Sequence, residues 1–148
     1  MLKTALSLAL IALTAPALFA QTKSTDNSAP SKVTGAPTKT ASGLEYWDIK
    51  VGSGATAKKG DNVVVNYTGW LTSGKKFDSS IGRGPFTVEN LGNAPVIKGW
   101  NEGIQGMKVG GKRQLRIPPD LAYGPNGFPG AIPPNATLIF DVELLGIK

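Results

Sequence analysis

The side chains that most often carry enzyme chemistry are missing from this sequence, and their absence narrows what it can do. It contains no histidine, so it lacks the usual general base, the Ser-His-Asp arrangement and every imidazole metal ligand. It contains no cysteine, so it has no thiol nucleophile and no thiolate metal site. The Asp-x-Asp-x-Asp-Gly pattern of a calcium loop is also absent. We therefore expect no metal and no cofactor, and chemistry that is neither hydrolytic nor redox.

An aromatic side chain on a short helix is the first candidate for a binding site. Residues 96–107 form the only convincing helical pattern in the second half of the chain. Four apolar residues recur there three or four positions apart, which places them on one helix face: Ile97, Trp100, Ile104 and Met107. Three glycines line the neighbouring face, and each costs about 1 kcal/mol of helix stability relative to alanine, so the helix must be held by packing. We predict that it presses into the concave face of a sheet with Trp100 pointing into the enclosed space; the alternative is that Trp100 is only core.

The remaining pattern predicts short strands around this helix. The chain has 19 glycines and 11 prolines, which favours turns and short strands over a helical bundle. Runs of β-branched, aromatic or alternating residues predict strands at 44–49, 62–71, 75–78, 86–88, 112–117 and 137–147. The short connections favour antiparallel pairing in a sheet of about five strands. Residues 119–135 form a long loop with five prolines and three glycines, and loops of that length are usually functional.

The N-terminal third of the chain differs in composition from the rest. Residues 1–20 are predicted to be a signal peptide, with Lys3, a short apolar run over 5–13, and cleavage after Ala17 or Ala20. An uncleaved membrane anchor is the alternative, although the apolar run is shorter than the roughly 20 residues that span a bilayer. Residues 21–41 are polar and predicted to be a disordered linker, so the folded domain is placed at 42–148. We expect export to the periplasm or outside the cell (the ER lumen in a eukaryote), with no stable membrane insertion after cleavage.

The net charge of +6 does not indicate nucleic-acid binding. Four lysines and one aspartate of residues 1–41 account for half of that charge, and the basic residues of the domain are scattered. A nucleic-acid interface would need them clustered on one face. We therefore expect no nucleic-acid partner.

Five blocks of sequence, in order, resemble an FKBP-type peptidyl-prolyl isomerase over about residues 42–148. They are Val64-Val65-Asn66-Tyr67-Thr68-Gly69, Gly74-Lys75-Lys76-Phe77-Asp78-Ser79-Ser80, Val96-Ile97-Lys98-Gly99-Trp100, Ala122-Tyr123-Gly124, and the run from Ile132-Pro133-Pro134 to Leu145. The resemblance implies an α+β fold, in which a curved antiparallel half-barrel sheet of about five strands wraps around one short helix. An apolar pocket is expected between them.

The resemblance also implies the residues of that pocket. Trp100 matches its floor, and Tyr123 and Ile132 belong to the long loop over its mouth. Asp78 matches the one carboxylate of the pocket, and Arg83 a basic residue that pairs near it. The matching walls are Tyr67, Phe77, Phe86, Val96, Ile97 and Phe140. An aromatic pocket with few polar groups also agrees with what a small apolar ligand requires.

The activity that the resemblance implies needs none of the missing catalysts. Rotation about an X-Pro bond requires no proton abstraction and no covalent intermediate; the enzyme must hold the twisted amide better than the planar forms. Tyr67, Asp78 and Tyr123 are the predicted catalytic residues, with the Tyr123 hydroxyl donating to the substrate carbonyl and Asp78 tuning polarity. Capping of the following turn is the alternative for Asp78. The predicted partners are proline-containing polypeptides, with the macrolides tacrolimus and rapamycin as further candidates.

Several departures from the family pattern change the rim of the pocket, and the loop between Phe77 and Phe86 also differs slightly in length. Phe128 stands where many members have histidine, Ala131 where isoleucine is common, and Pro95 where an acidic residue is frequent. They affect the predicted substrate preference and drug affinity. A binding module without turnover and a holdase-type folding helper remain as alternative functions.

Overall fold

A computed structural model describes residues 28–148 of the chain, so the predicted signal peptide lies outside the described residues. Its elements are β1 (Thr38–Lys39), β2 (Glu45–Lys50), β3 (Val63–Leu71), β4 (Lys76–Ser79), β5 (Phe86–Val88), α1 (Lys98–Gly103), β6 (Lys112–Ile117) and β7 (Leu138–Ile147). Within the described part of the chain, no helix is long and apolar enough to cross a membrane.

The strands form one antiparallel sheet in the order β1-β2-β6-β7-β3-β4, and β5 pairs with the free part of β3. The β3 strand pairs with β7 along its whole length, while its other edge pairs first with β5 and then with β4. The predicted α+β class and the antiparallel sheet around one short helix are confirmed. The sheet of residues 28–148 has seven strands instead of about five.

The core lies between the concave face of the sheet and α1. Alternation along the strands sends one side chain of every two into it, as β7 illustrates with Leu138, Phe140, Val142 and Leu144, all buried. Each fully buried aliphatic side chain of this kind contributes roughly 1.5–3 kcal/mol. The two longest strands thus supply a wall against which the helix packs.

The helix is shorter than the predicted span of 96–107, and its glycines serve two purposes: two of them pack closely, and the third lies in the turn after the helix. A Cβ atom on Gly99 would lie 2.5 Å from Ile117 Cγ2, and one on Gly103 would lie 2.8 Å from Leu115 Cδ2. Only glycine therefore allows α1 to approach β6 this closely. Gly106 has a φ of +90° and follows the end of the helix, so it serves a turn and not the packing face.

The N-terminal segment, residues 28–41, differs from the predicted disordered linker. Its β1 pairs with β2 at the edge of the sheet, and Ser31 donates two hydrogen bonds to Asp141 Oδ2, from its backbone N–H at 2.9 Å and its hydroxyl at 2.7 Å. Gln114 Nε2 donates to the Ser31 carbonyl at 2.7 Å. The segment has few apolar residues, but the convex face of the sheet supplies polar partners that order it. Residues 21–27 of the predicted linker lie outside the described residues.

Candidate active site

A cavity of about 270 Å³ opens between α1 and the concave face of the sheet. Residues of β3, β4, β5, α1 and β7 contribute to it. Further residues come from the loop before α1 and from the long loop between β6 and β7. The residues that line it are Tyr67, Phe77, Asp78, Phe86, Pro95, Val96, Ile97, Trp100, Tyr123 and Phe140. Its surface is therefore mostly aromatic and aliphatic, and the polar side-chain atoms of its lining residues belong to two tyrosines, one aspartate and the indole of Trp100.

The floor is built from aromatic rings in edge-to-face contact. Trp100 is 4% exposed, and its ring centroid lies 4.8 Å from that of Tyr67 and 5.4 Å from that of Phe140. The interplanar angles are 78° and 82°, the geometry that aromatic quadrupoles favour. The indole Nε1 is buried and has no hydrogen-bond partner among residues 28–148. Trp100 thus belongs both to the core and to the pocket.

One glycine makes the aromatic wall possible. A Cβ atom on Gly69 of β3 would lie 2.6 Å from Phe140 Cε1 and 2.7 Å from Phe77 Cζ. The Phe77 and Phe140 rings meet directly above the Gly69 backbone, with centroids 5.5 Å apart and an interplanar angle of 90°. Any side chain at position 69 would therefore displace these rings.

Asp78 lies at the centre of a small polar network on one side of the cavity. Tyr67 Oη donates to Asp78 Oδ2 at 2.7 Å, and Arg83 Nη2 donates to Asp78 Oδ1 at 3.0 Å. Arg83 Nη2 also donates to Tyr67 Oη at 3.3 Å. Burial, and then the hydrogen bond to the Asp78 carboxylate and its charge, raise the pKa of Tyr67 to about 12, although Arg83 acts in the opposite direction. The Tyr67 hydroxyl therefore keeps its proton and its role as donor.

The backbone of Tyr67 is fixed by the two serines that follow Asp78. Ser80 Oγ accepts from the Tyr67 N–H at 2.9 Å, and the Ser80 N–H donates to the Tyr67 carbonyl at 2.9 Å. Ser79 Oγ donates to the same carbonyl at 3.1 Å. The Asp78 carboxylate also accepts the Ser79 N–H at 2.9 Å, so it caps the local turn and holds Tyr67 at once. The contact with Ser79 corresponds to the capping alternative for Asp78, and its catalytic role stays a prediction.

Tyr123 stands at the mouth of the cavity, opposite this network. It is 39% exposed, and burial of its ring, followed by the Asp78 charge, raises the pKa of its hydroxyl. Its ring contacts that of Phe128, which is 56% exposed, at a centroid distance of 5.7 Å. The loop that carries them is more regular than predicted, with 3₁₀ turns at Pro119–Leu121 and Gly124–Asn126 and a β-bridge between Phe128 and Ile132.

The comparisons with known proteins agree on one family. The family model for FKBP-type peptidyl-prolyl cis-trans isomerases matches residues 53–145. The chain belongs to that family. As a member, it is a peptidyl-prolyl cis-trans isomerase.

Individual relatives show how much of the family domain is present. The chain is 53% identical over 107 residues to a peptidyl-prolyl cis-trans isomerase of Schizosaccharomyces pombe, a match that covers 72% of this chain and 96% of the relative. It is 61% identical over 104 residues to FK506-binding protein 4 of Dictyostelium discoideum, covering 70% of this chain but only 28% of that longer protein.

Solved structures give the same result. The crystal structure of AtFKBP13 is similar with a TM-score of 0.68 and 43% identity, covering 74% of this chain and 97% of the other. The crystal structure of FkpA from Escherichia coli gives a TM-score of 0.69 and 43% identity over 86% of this chain and 55% of the other.

All but two of the site residues predicted from the sequence of this isomerase line the cavity. Arg83 lies outside it and reaches it through Asp78 and Tyr67. Ile132 is 5% exposed and packs in the core beneath the loop; it borders a neighbouring depression with Leu71 and Lys75 instead. Pro95, noted in the sequence only as a departure from the family pattern, lines the cavity. Proline carries no side-chain donor or acceptor that would have indicated a site.

Proposed function

We propose that this FKBP-type isomerase accelerates X-Pro isomerisation in exported client proteins by binding the twisted amide in its aromatic cavity. The observation that carries the proposal is the composition of that cavity, in which aromatic rings in edge-to-face contact line the space together with one hydrogen-bonded carboxylate. A prolyl ring is small, rigid and apolar, and a floor of Trp100 with Tyr67 and Phe140 beside it presents matching apolar surface on three sides.

The mechanism proposed here relies on the difference between planar and twisted amides. The barrier to peptide rotation is about 18–20 kcal/mol and arises from amide resonance. A planar amide is more polar than a twisted one, so an apolar cavity with few donors stabilises the twisted form relative to the planar forms. Catalysis follows when binding is stronger in the transition state than in the ground state.

Tyr67, Asp78 and Tyr123 are the polar residues that we propose act on the substrate amide. Tyr123, half exposed at the mouth, is the proposed donor to the substrate carbonyl. Asp78 is held in place by hydrogen bonds from Tyr67 and Arg83. Its negative charge is therefore already positioned beside the substrate amide and needs no rearrangement during the reaction. It is not proposed as a general base, since the rotation transfers no proton.

Export and macrolide binding complete the proposal. Residues 1–20 have the composition of a signal peptide, which supports clients outside the cytoplasm. Relatives carry the name FK506-binding protein, and the same cavity is therefore proposed to accept tacrolimus and rapamycin. Phe128 and Pro95 alter its rim, and we expect them to change macrolide affinity more than proline turnover.

The test is a protease-coupled isomerisation assay with the full chain and a tetrapeptide that contains Leu-Pro. We expect a catalysed phase that is proportional to enzyme concentration and is inhibited by tacrolimus. A folded protein that binds the peptide without accelerating isomerisation would support the binding-module alternative. Suppression of client aggregation without peptide turnover would support the holdase alternative; either result would overturn the proposal.

A further inference from the structure

One wall of the cavity is an irregular loop, and regular secondary structure does not hold it. Residues 92–96 precede α1, and Pro95 and Val96 at their end line the cavity together with Ile97. Backbone partners for this stretch are few: the Asn93 N–H donates to the Asn90 carbonyl, and the Val96 N–H donates to the Ala94 carbonyl. Something else must fix its shape, because a loop in several conformations would give a cavity of several shapes.

The side-chain amide of Asn101, on α1 next to Trp100, supplies the remaining partners. Its Oδ1 accepts from the Gly92 N–H at 2.8 Å and from the Ala94 N–H at 3.0 Å. Its Nδ2 donates to the Ala94 carbonyl at 2.9 Å and makes a longer contact of 3.5 Å with the Val96 carbonyl. One amide group therefore takes the place of a neighbouring strand, since it offers an acceptor and a donor to successive backbone groups.

We infer that Asn101 is a positioning residue of the isomerase reaction, and that it sets substrate affinity by holding the wall formed by Pro95, Val96 and Ile97. The inference rests on the proposed function of the cavity. Asn101 is not among the residues lining the cavity, so its effect passes through the loop.

The geometry separates this role from that of the Asp78 side. Tyr67 and Asp78 are held by Ser79, Ser80 and Arg83, and Asn101 takes part in none of these hydrogen bonds. The wall offers apolar contact to the prolyl ring in the planar and twisted forms alike. Loss of such uniform binding raises KM and leaves kcat nearly unchanged. Substitution of a residue needed only for folding would lower the amount of active protein and would leave the KM of the folded molecules unchanged.

The experiment compares three full-chain variants with the wild type in the Leu-Pro tetrapeptide assay. Asn101→Ala removes all four contacts, and Asn101→Asp keeps the two acceptor contacts while losing the donors. Asn93→Ala is the matched control, because Asn93 lies in the same loop with an exposed side chain. We expect KM to rise about five- to tenfold in Asn101→Ala and about two- to threefold in Asn101→Asp, with kcat within about twofold of wild type in both, as for lost neutral hydrogen bonds. Asn93→Ala should match the wild type.

Peptide binding measured by the change in intrinsic tryptophan fluorescence keeps the inference separate from the proposed function. If the wild type binds the peptide without turnover, the function fails, and the same order of affinities among the variants still tests the role of Asn101. If Asn101→Ala does not fold, the KM and peptide affinity of Asn101→Asp alone test the role of Asn101. An unchanged KM and peptide affinity in a folded Asn101 variant, or a loss confined to kcat, would overturn the inference.

Discussion

The two faces of the sheet use opposite kinds of interaction. The concave face carries the rings of Tyr67, Trp100 and Phe140 around a cavity that has few polar atoms. The convex face carries a row of polar side chains across neighbouring strands, in which Gln114 and Asp141 lie opposite each other and Asp141 lies opposite Thr68. The N-terminal segment covers this row and pairs with it. The comparison suggests that the concave face sets activity, while the convex face sets stability.

The largest effect is expected from breaking the concave face at its floor. Trp100→Ala should leave a cavity and cost about 3–5 kcal/mol of unfolding free energy, as for other buried aromatic residues. Trp100→Leu retains much of the packing but loses the flat ring, so kcat/KM should fall further than the free energy of unfolding would suggest. The measurements are denaturant unfolding and the peptide assay. Activity per folded molecule equal to wild type in Trp100→Leu would show that Trp100 is only core.

The next effect should come from uncovering the convex face. A chain that begins at residue 42 lacks β1 and the Ser31 contacts, which leaves Asp141 and Gln114 without those partners. We expect a loss of about 2–4 kcal/mol in unfolding free energy, from several net contributions of roughly 1 kcal/mol each. The kcat/KM of the folded fraction should stay unchanged. The matched control begins at residue 28 and should keep the stability of the longer chain; equal stability of the two truncated chains would contradict the prediction.

The same contrast explains what could be predicted from the sequence. Strands such as β3 and β7 follow from β-branched runs with alternating burial, and Trp100 follows from a helical apolar stripe, because hydrophobic periodicity reports which face is buried. The resemblance to the family then located nine of the ten lining residues of the cavity, eight of them within the five matching blocks and Phe86 between two of them. Contacts between polar groups leave no such periodicity. The pairing of Ser31 with Asp141 joins residues 110 positions apart, and nothing local distinguishes that serine from a disordered one.

Two details near the site differ from the expected geometry. Ile132 was expected at the mouth of the cavity; its backbone pairs with Phe128, and its side chain is buried. The helix was expected to reach residue 107, but its last residue is Gly103, and Gly106 lies beyond it with a positive φ in a turn. A tertiary contact accompanies the burial of Ile132, and a glycine conformation accompanies the end of the helix. The apolar pattern of the sequence carries no information about either.

A smaller effect is expected from the polar rim of the concave face. Tyr123→Phe keeps the ring and its contact with Phe128, but it removes the hydroxyl that is proposed to donate to the substrate carbonyl. The kcat/KM should fall a few-fold to tens-fold, as for one hydrogen bond of roughly 1 kcal/mol or slightly more. Phe128→Ala removes the ring beside it without touching that donor and serves as the comparison. If Tyr123→Phe has full activity, the donor must be sought elsewhere.

The smallest effect, and the sharpest test of mechanism, is the response to pH. The proposed site contains no histidine and no cysteine, so it has no group whose unperturbed pKa falls between about 5 and 8. The pKa of Tyr67 is raised to about 12 by burial and by Asp78, and that of Tyr123 is raised from 10.0 by burial and the same charge. A raised tyrosine pKa means that folding favours the protonated hydroxyl. The contribution of each raised tyrosine pKa to stability is complete below pH 10 and is lost only as the pH rises through the pKa of the folded state.

Both hydroxyls therefore remain donors from pH 5 to 8. We expect kcat/KM to be nearly flat over that range and to decline only in strong alkali. A bell-shaped profile centred near neutrality would indicate acid–base catalysis and would contradict a mechanism based on holding the twisted amide.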